Sequence, residues 1–336
     1  MTSSTSCRSR PLARDLTQRL LGGDRDAVPQ ALNLADDHRP ERRREALALL
    51  DALERRAPFP GAARIGITGA PGAGKSTLLD ALVRTLRPRG ETLAIVAVDP
   101  SSRETGGALL GDRVRVRSGA ADPGVLIRSM AARDRLGGLA DGTRAAVEIL
   151  AAAFDRVFVE TVGVGQSEIE VAALVDTLVY VVNPGTGDFL QFMKAGILEV
   201  PDIIVVNKAD LGAAATRTAG ELESGLSLGE RRHGDEPLPV LLVSANDGTG
   251  VDALAEAIDA HRRRLVSGDG LRERRRRGLE GFVLEALELR YGSFGVGAVG
   301  GPPALRARIR GDDTATAFAL IAGLGREIED ALRKPI

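Results

Sequence analysis

Residues 69–76 read Gly69-Ala70-Pro71-Gly72-Ala73-Gly74-Lys75-Ser76, a full match to G-x-x-x-x-G-K-[ST]. A short apolar run, Arg64–Thr68, precedes it, and a helical pattern, Ser76–Leu86, comes after it. Strand, glycine turn and helix form the context in which this string cradles phosphate. The glycines let the backbone curl so that its N–H groups face phosphate oxygens. The helix N-terminus adds positive potential. Lys75 is predicted to reach the β- and γ-phosphates and the Ser76 hydroxyl to bind Mg²⁺. Thr77 completes the predicted nucleotide-contacting run.

Outward from this loop, apolar runs alternate with helical stretches. The strand candidates are Arg64–Thr68, Leu93–Val98, Arg156–Thr161, Thr177–Val182, Ile203–Val206 and Val240–Val243. Nearly continuous apolar runs of this length suit parallel strands buried on both faces. Helical patterns at Ser76–Leu86, Gly142–Phe154 and Thr216–Leu226 separate several of them. The expectation is an α/β fold, a doubly wound and mainly parallel sheet, over residues 61–265. An N-terminal helical extension is expected over residues 1–60, with leucines at helical spacing and a solvated Arg42–Arg44 face. A mostly helical extension is expected over residues 266–336, with helices at Leu279–Leu289 and Thr316–Leu332 around a Gly/Pro-rich stretch, Gly292–Pro303. The run Arg272–Arg277 is almost wholly basic.

Composition removes several function classes. A chain of 336 residues with 43% hydrophobic and 27% charged residues is an ordinary globular sequence. No apolar run reaches the roughly 18 residues of a membrane-spanning helix. Cys7 is the only cysteine, which excludes a disulfide scaffold. A net charge of −1 argues against general binding of nucleic acid or membrane surfaces. His38, His233 and His261 lie far apart, so a His/Cys metal centre is not expected. The Ser/Arg-rich residues 1–14 read as a short tail rather than a transit peptide, which gives a cytoplasmic expectation. Lysine is rare: Lys75, Lys194, Lys208 and Lys334 stand against 41 arginines, and three of the four fall in motifs. A lysine where arginine is the default cation hints at a need for an ammonium group.

Asn207-Lys208-Ala209-Asp210 comes directly after the fifth strand candidate. A carboxylate there can accept from both guanine N1–H and N2–H₂, a pair that adenine does not offer. With Ser244-Ala245-Asn246 after the sixth strand candidate, this favours GTP over ATP. Asp99 and Glu160 end the second and third strand candidates, where acids face the crevice and suit Mg²⁺. Asp112 is a further candidate for that metal. The Gly163 backbone N–H is a candidate sensor of the γ-phosphate, and Gln166 a candidate for orienting water. Catalytic roles therefore fall to Lys75, Glu160, Gly163 and Gln166.

Together these strings resemble one family. Glu160-Thr161-Val162-Gly163-Val164-Gly165-Gln166-Ser167-Glu168 stands where Ras-like proteins carry DxxG. With Asp99-Pro100-Ser101-Ser102, Gly111-Asp112 and Asn207-Lys208-Ala209-Asp210, it resembles the MeaB/MMAA (ArgK-like) metallochaperone-type P-loop GTPases, over roughly residues 10–265. The resemblance implies a GTPase using GTP/GDP and Mg²⁺ and serving an adenosylcobalamin-dependent acyl-CoA mutase, chiefly methylmalonyl-CoA mutase. The switch residues lead to an expectation of slow intrinsic hydrolysis accelerated by a partner, and the resemblance implies a homodimer built with the C-terminal helices. Gly187–Glu199, containing Asp188 and Lys194, looks like the family's third switch, which relays nucleotide state to the mutase. Two alternatives stay open: a nickel-insertion GTPase of the same superfamily, which would need a Cys or His cluster, and a P-loop kinase, which would need an acceptor pocket with a base.

Overall fold

A computed structural model describes residues 12–37, 39–100, 119, 122–132, 138–161, 170–185, 200–228, 237–312 and 314–333. Its centre is a seven-stranded sheet: β1 (Ala63–Gly69), β2 (Leu93–Pro100), β3 (Val125–Ala132), β4 (Arg156–Thr161), β5 (Thr177–Val182), β6 (Ile203–Val206) and β7 (Val240–Leu242). The spatial order is β3-β2-β4-β1-β5-β6-β7, and every pairing is parallel. Parallel neighbours require crossovers, and the helices α4 (Lys75–Leu86), α5 (Gly138–Ala151), α6 (Ala213–Leu228) and α7 (Val251–Val266) lie over the two faces.

Strand alternation sorts the core into layers. Ile65, Ile67, Ile95, Phe158, Val179, Val181 and Val205 point to the face covered by α4 and α7. Ala94, Val96, Val157 and Val159 point to the other, which α5 and the terminal helices cover. Gly66 belongs to this second face; a Cβ there would lie 2.7 Å from Leu178 Cδ1 and Val171 Cγ1, so a side chain would push the covering turn away.

The N-terminal pattern resolves into α1 (Leu12–Leu21), α2 (Val28–Ala35) and α3 (Pro40–Arg56). Gly23 (φ 81°) and Pro40, in the first turn of α3, supply breaks. β3 is absent from the strand candidates above. Arg128 and Ser129 interrupt its apolar run, and it is a half-buried edge strand, so its core signal is weak. The Gly/Pro-rich stretch also differs from expectation. α8 (Gly270–Gly297) runs into it, kinked at Gly292 (φ 65°, ψ 178°), and α9 (Gly301–Gly311) begins inside it, with proline in its first turn. Proline is tolerated there because that N–H has no intrahelical acceptor. α10 (Ala317–Arg333) closes the described chain. No described helix is long and apolar enough to cross a membrane.

The arginine run is a fastener. Asp176 and Asp202, just before β5 and β6, are buried. Arg274 donates two hydrogen bonds to Asp202 (2.8 and 2.7 Å), and Arg275 two to Asp176 (2.8 and 2.7 Å). Gly278 lets α8 approach so closely that a Cβ would overlap the Ala173 carbonyl. Burial opposes ionisation of Asp176, but the Arg275 fork and the Arg64 N–H hold its carboxyl below the usual range. This joint sits at the amino ends of the strands, opposite the phosphate loop.

A second buried charge group ties both extensions to the sheet. Arg64 of β1 grips Glu148 of α5 (2.9 and 2.8 Å), and Arg144 lies 3.9 Å from both Glu148 and Glu54 of α3. Glu54 accepts from Ala317 N (3.0 Å) and Asp51 from the Thr316 hydroxyl (2.5 Å), so α3 caps α10. Burial, then the neighbouring Glu148 charge, pushes the Glu54 carboxyl from 4.5 up to about 7. Folding therefore favours protonated Glu54. Its contribution is complete below pH 4.5 and is lost as pH rises through 7. Glu54→Gln keeps an acceptor for Ala317 N without a charge. It is expected to match the parent near pH 5 and exceed its stability at pH 8 by about 2–3 kcal/mol, measured by denaturant unfolding at both values. A gap independent of pH would contradict this.

Candidate nucleotide site

The loops that end β1, β6 and β7 meet the last residues of β4 at the carboxyl edge of the sheet, where open parallel sheets hold ligands. Gly69 (φ 140°) turns the chain out of β1; any Cβ would overlap the Val181 carbonyl. Gly74 (φ 89°) precedes α4, and a Cβ on it would overlap the Asn207 amide. Ala70 is half-buried, Pro71 and Gly72 are exposed at the loop crest, and Ala73 is buried beneath. The N-cap residue of α4 is Gly74, so no side chain caps the helix. Lys75 is buried, with Nζ donating to Gly69 O (2.7 Å) and Ala70 O (3.0 Å). Its ammonium is already centred on the loop mouth. Thr77 faces outward.

Ser76 Oγ donates to Glu160 Oε1 (2.7 Å), joining the first turn of α4 to the end of β4. This hydroxyl–carboxylate pair is an all-oxygen donor set of the kind hard divalent cations take. Asp99 is the next-to-last residue of β2, just past the Val98↔Thr161 pair with β4, but its side chain lies outside the described residues. Asp112, Gly163, Gln166 and the segment 187–199 lie outside them as well. Among the described residues, no three His, Cys, Asp or Glu side chains converge as metal ligands.

Asn207 is buried and holds three loops together. Its Nδ2 donates to Ala73 O (2.8 Å) and its Oδ1 accepts from Ala245 N (3.2 Å). Lys208 has φ 59°, the one positive value outside glycine among the described residues, and its Nζ donates to Gly72 O (3.0 Å). That left-handed backbone is strained for lysine and reverses the chain straight out of β6. Asp210 is exposed and its Oδ1 accepts from the buried Ser244 hydroxyl (2.8 Å), which aims the carboxylate. Asn246 is exposed on the adjoining turn. The motif puts Asn207 among the nucleotide contacts; both of its amide atoms are engaged by backbone, so here it braces the loops. A buried hydroxyl pair, Thr68 and Thr161, lies on β1 and β4 next in the chain to Gly69 and Glu160; from the sequence Thr68 is named only as a strand end and Thr161 only as a strand end within the Glu160–Glu168 string, neither as a site residue. Its only signal there is a threonine closing each of two apolar strands.

The family described as methylmalonyl Co-A mutase-associated GTPase MeaB matches residues 28–288. The chain belongs to the MeaB family. The match runs past residue 265 into the arginine-bearing α8, farther than the motif strings reach. Among relatives, the GTPase ArgK of Escherichia coli is 39% identical, covering 76% of this chain and 78% of its own. The mouse methylmalonic aciduria type A homolog, mitochondrial, is 34% identical, covering 76% of this chain and 64% of its own. A solved structure titled LAO/AO transport system kinase superposes with a TM-score of 0.67 at 28% identity, covering 98% of this chain and all of the other. As a MeaB-family member with the P-loop fold, the protein is a GTPase.

Proposed function

We propose that this MeaB-family GTPase binds GTP with Mg²⁺ at the carboxyl edge of its sheet. We further propose that it uses hydrolysis to gate adenosylcobalamin loading and protection of a methylmalonyl-CoA-mutase-like acyl-CoA mutase in the cytoplasm. The observation that carries the nucleotide part is Asn207, which locks the phosphate loop, the Asp210 loop and the Ala245 turn into one frame. The family's description supports the choice of partner.

Each group in the site then has a distinct task. Backbone N–H groups of residues 70 and 72–77 take the phosphate oxygens, and Lys75 exchanges its two carbonyl acceptors for the β- and γ-phosphates. Ser76 would ligate the cation, with Glu160 and the strand-end Asp99 beside it and Asp112 as a further ligand, and such a cation would supply Lewis-acid withdrawal of charge from those oxygens. Asp210, aimed by Ser244, accepts from guanine N1–H and N2–H₂, while the Lys208 stem lies against the ring. Gly163 and Gln166 are the candidates for sensing the γ-phosphate and orienting water. Hydrolysis is slow alone and faster with the partner.

A homodimer through the C-terminal helices belongs to the same proposal. Phe294 is 78% exposed on α8, and Leu289 and Leu332 are exposed on α8 and α10. Large exposed apolar side chains on these two helices are what an association surface would cover.

The test is capture of an adenosylcobalamin-dependent acyl-CoA mutase on the immobilised protein, with a non-hydrolysable GTP analogue or with GDP. The expected result is retention that differs between the two nucleotides. Equal retention, or none, would contradict the gating role. Equal turnover of GTP and ATP would contradict the base assignment alone.

A further inference from the structure

The β1–β4 ladder runs in register from Ala63↔Arg156 to Ile67↔Glu160. The next residue on each strand is a threonine, and the Thr161 hydroxyl meets that of Thr68 at 2.9 Å. Both side chains are fully enclosed, at 1% and 0% exposure. On the same face of the sheet, Val98 and Val159 are buried beside Thr161, and Tyr180 is buried in register with Thr68. Packing alone does not require hydroxyls here, because an apolar pair of the same shape is often neutral or stabilising. A buried polar pair does add a directional restraint, fixing both the separation and the register of two strand ends.

The chain neighbours of the two threonines belong to the nucleotide site. Thr68 is bonded to Gly69, whose carbonyl receives the Lys75 ammonium. Thr161 is bonded to Glu160, whose carboxylate receives the Ser76 hydroxyl. The hydroxyl pair is therefore the last described tie between the strand that launches the phosphate loop and the strand that carries the acid. We propose that Thr68 and Thr161 are positioning residues for GTP hydrolysis, holding Glu160 at the separation from Ser76 that the divalent cation needs. The proposal rests on the cation role assigned above to Ser76 and Glu160.

Thr161→Val and Thr68→Val keep the shape and remove the bond, and Thr161→Ser restores a hydroxyl. The double Thr68→Val/Thr161→Val variant leaves no hydroxyl unpaired, which guards against a single variant that fails to fold. Steady-state GTP turnover is measured at varied Mg²⁺ and at varied GTP, beside thermal unfolding. Both single valine variants and the double variant are expected to need about tenfold more Mg²⁺ for half-maximal rate and to lose about tenfold in kcat. KM for GTP should stay within about twofold, and Thr161→Ser should return most of the loss. A purely structural role would lower the active fraction, and so kcat, without moving the Mg²⁺ requirement. Parental Mg²⁺ dependence in the valine variants, or no recovery with serine, overturns the proposal. Glu160→Gln separates the two claims. If it leaves the Mg²⁺ requirement unchanged, the cation reading falls and takes this inference with it. If it raises the requirement while Thr161→Val and Thr68→Val do not, the positioning role alone falls.

Discussion

Lys75→Ala is expected to lower kcat/KM for GTP by about a thousandfold while moving the melting temperature by only a few degrees. The asymmetry comes from what the ammonium does with and without phosphate. In the structure it bonds two loop carbonyls, the buried Gly69 O and the half-buried Ala70 O, behind the exposed crest of the loop. Losing such bonds costs little, because alanine is a good helix former at the start of α4 and water can replace the donor. With triphosphate bound, the same ammonium faces a concentration of negative charge that nothing else in the loop neutralises with a full positive charge. Arginine is not a substitute: its planar fork cannot enter a pocket shaped for a compact ion, so Lys75→Arg should remain at least about a hundredfold impaired. Turnover by both variants, beside their thermal unfolding, checks the expectation. Activity near the parent's would remove Lys75 from the phosphate-binding role.

The second large effect is a change of base preference. Ser244 donates to Asp210 Oδ1, so the side chain is held from one side and presents its other oxygen outward. In Asp210→Asn the amide oxygen takes the Ser244 proton, and the NH₂ group turns toward the base. Guanine then meets a donor with its own N2–H₂ donor, whereas xanthine offers a carbonyl oxygen at that position. Preference for GTP over ATP is expected to fall by about a hundredfold or more, with xanthosine triphosphate becoming the better substrate. Competition among the three nucleotides for a fluorescent analogue provides the measurement. A variant that selects guanine as well as the parent would show that the purine sits elsewhere.

How readable each feature is from the sequence depends on how local its signal is. The phosphate loop, Glu160 at a strand end, and the Asn207–Asp210 string need only their own neighbours to be recognised, and the structure gathers them at one edge of the sheet. Five of the seven strands announce themselves because they are buried on both faces and therefore continuously apolar, and the half-buried edge strand β7 because all three of its residues are apolar. β3 does not, since an edge strand tolerates Arg128 and Ser129. The arginines at 274 and 275 look like a solvated run until Asp176 and Asp202, about 70 to 100 residues earlier, are seen beneath them. The helical turns around Gly292 and Gly301 are set by packing of α8 against α10, which outweighs the helix-breaking residues. The Thr68–Thr161 pair depends on the register of two strands that lie 93 positions apart, which no local pattern reports.

The central claim is that residues 69–76 wrap a magnesium-bound triphosphate whose guanine is read by Asp210. A crystal structure of the protein with Mg²⁺ and a non-hydrolysable GTP analogue tests it most directly. The expected density places the β-phosphate within the turn, the cation at the Ser76 hydroxyl near Glu160, and the guanine edge within hydrogen-bond distance of the Asp210 carboxylate. Nucleotide bound elsewhere on the chain, or a base turned away from Asp210, would contradict it.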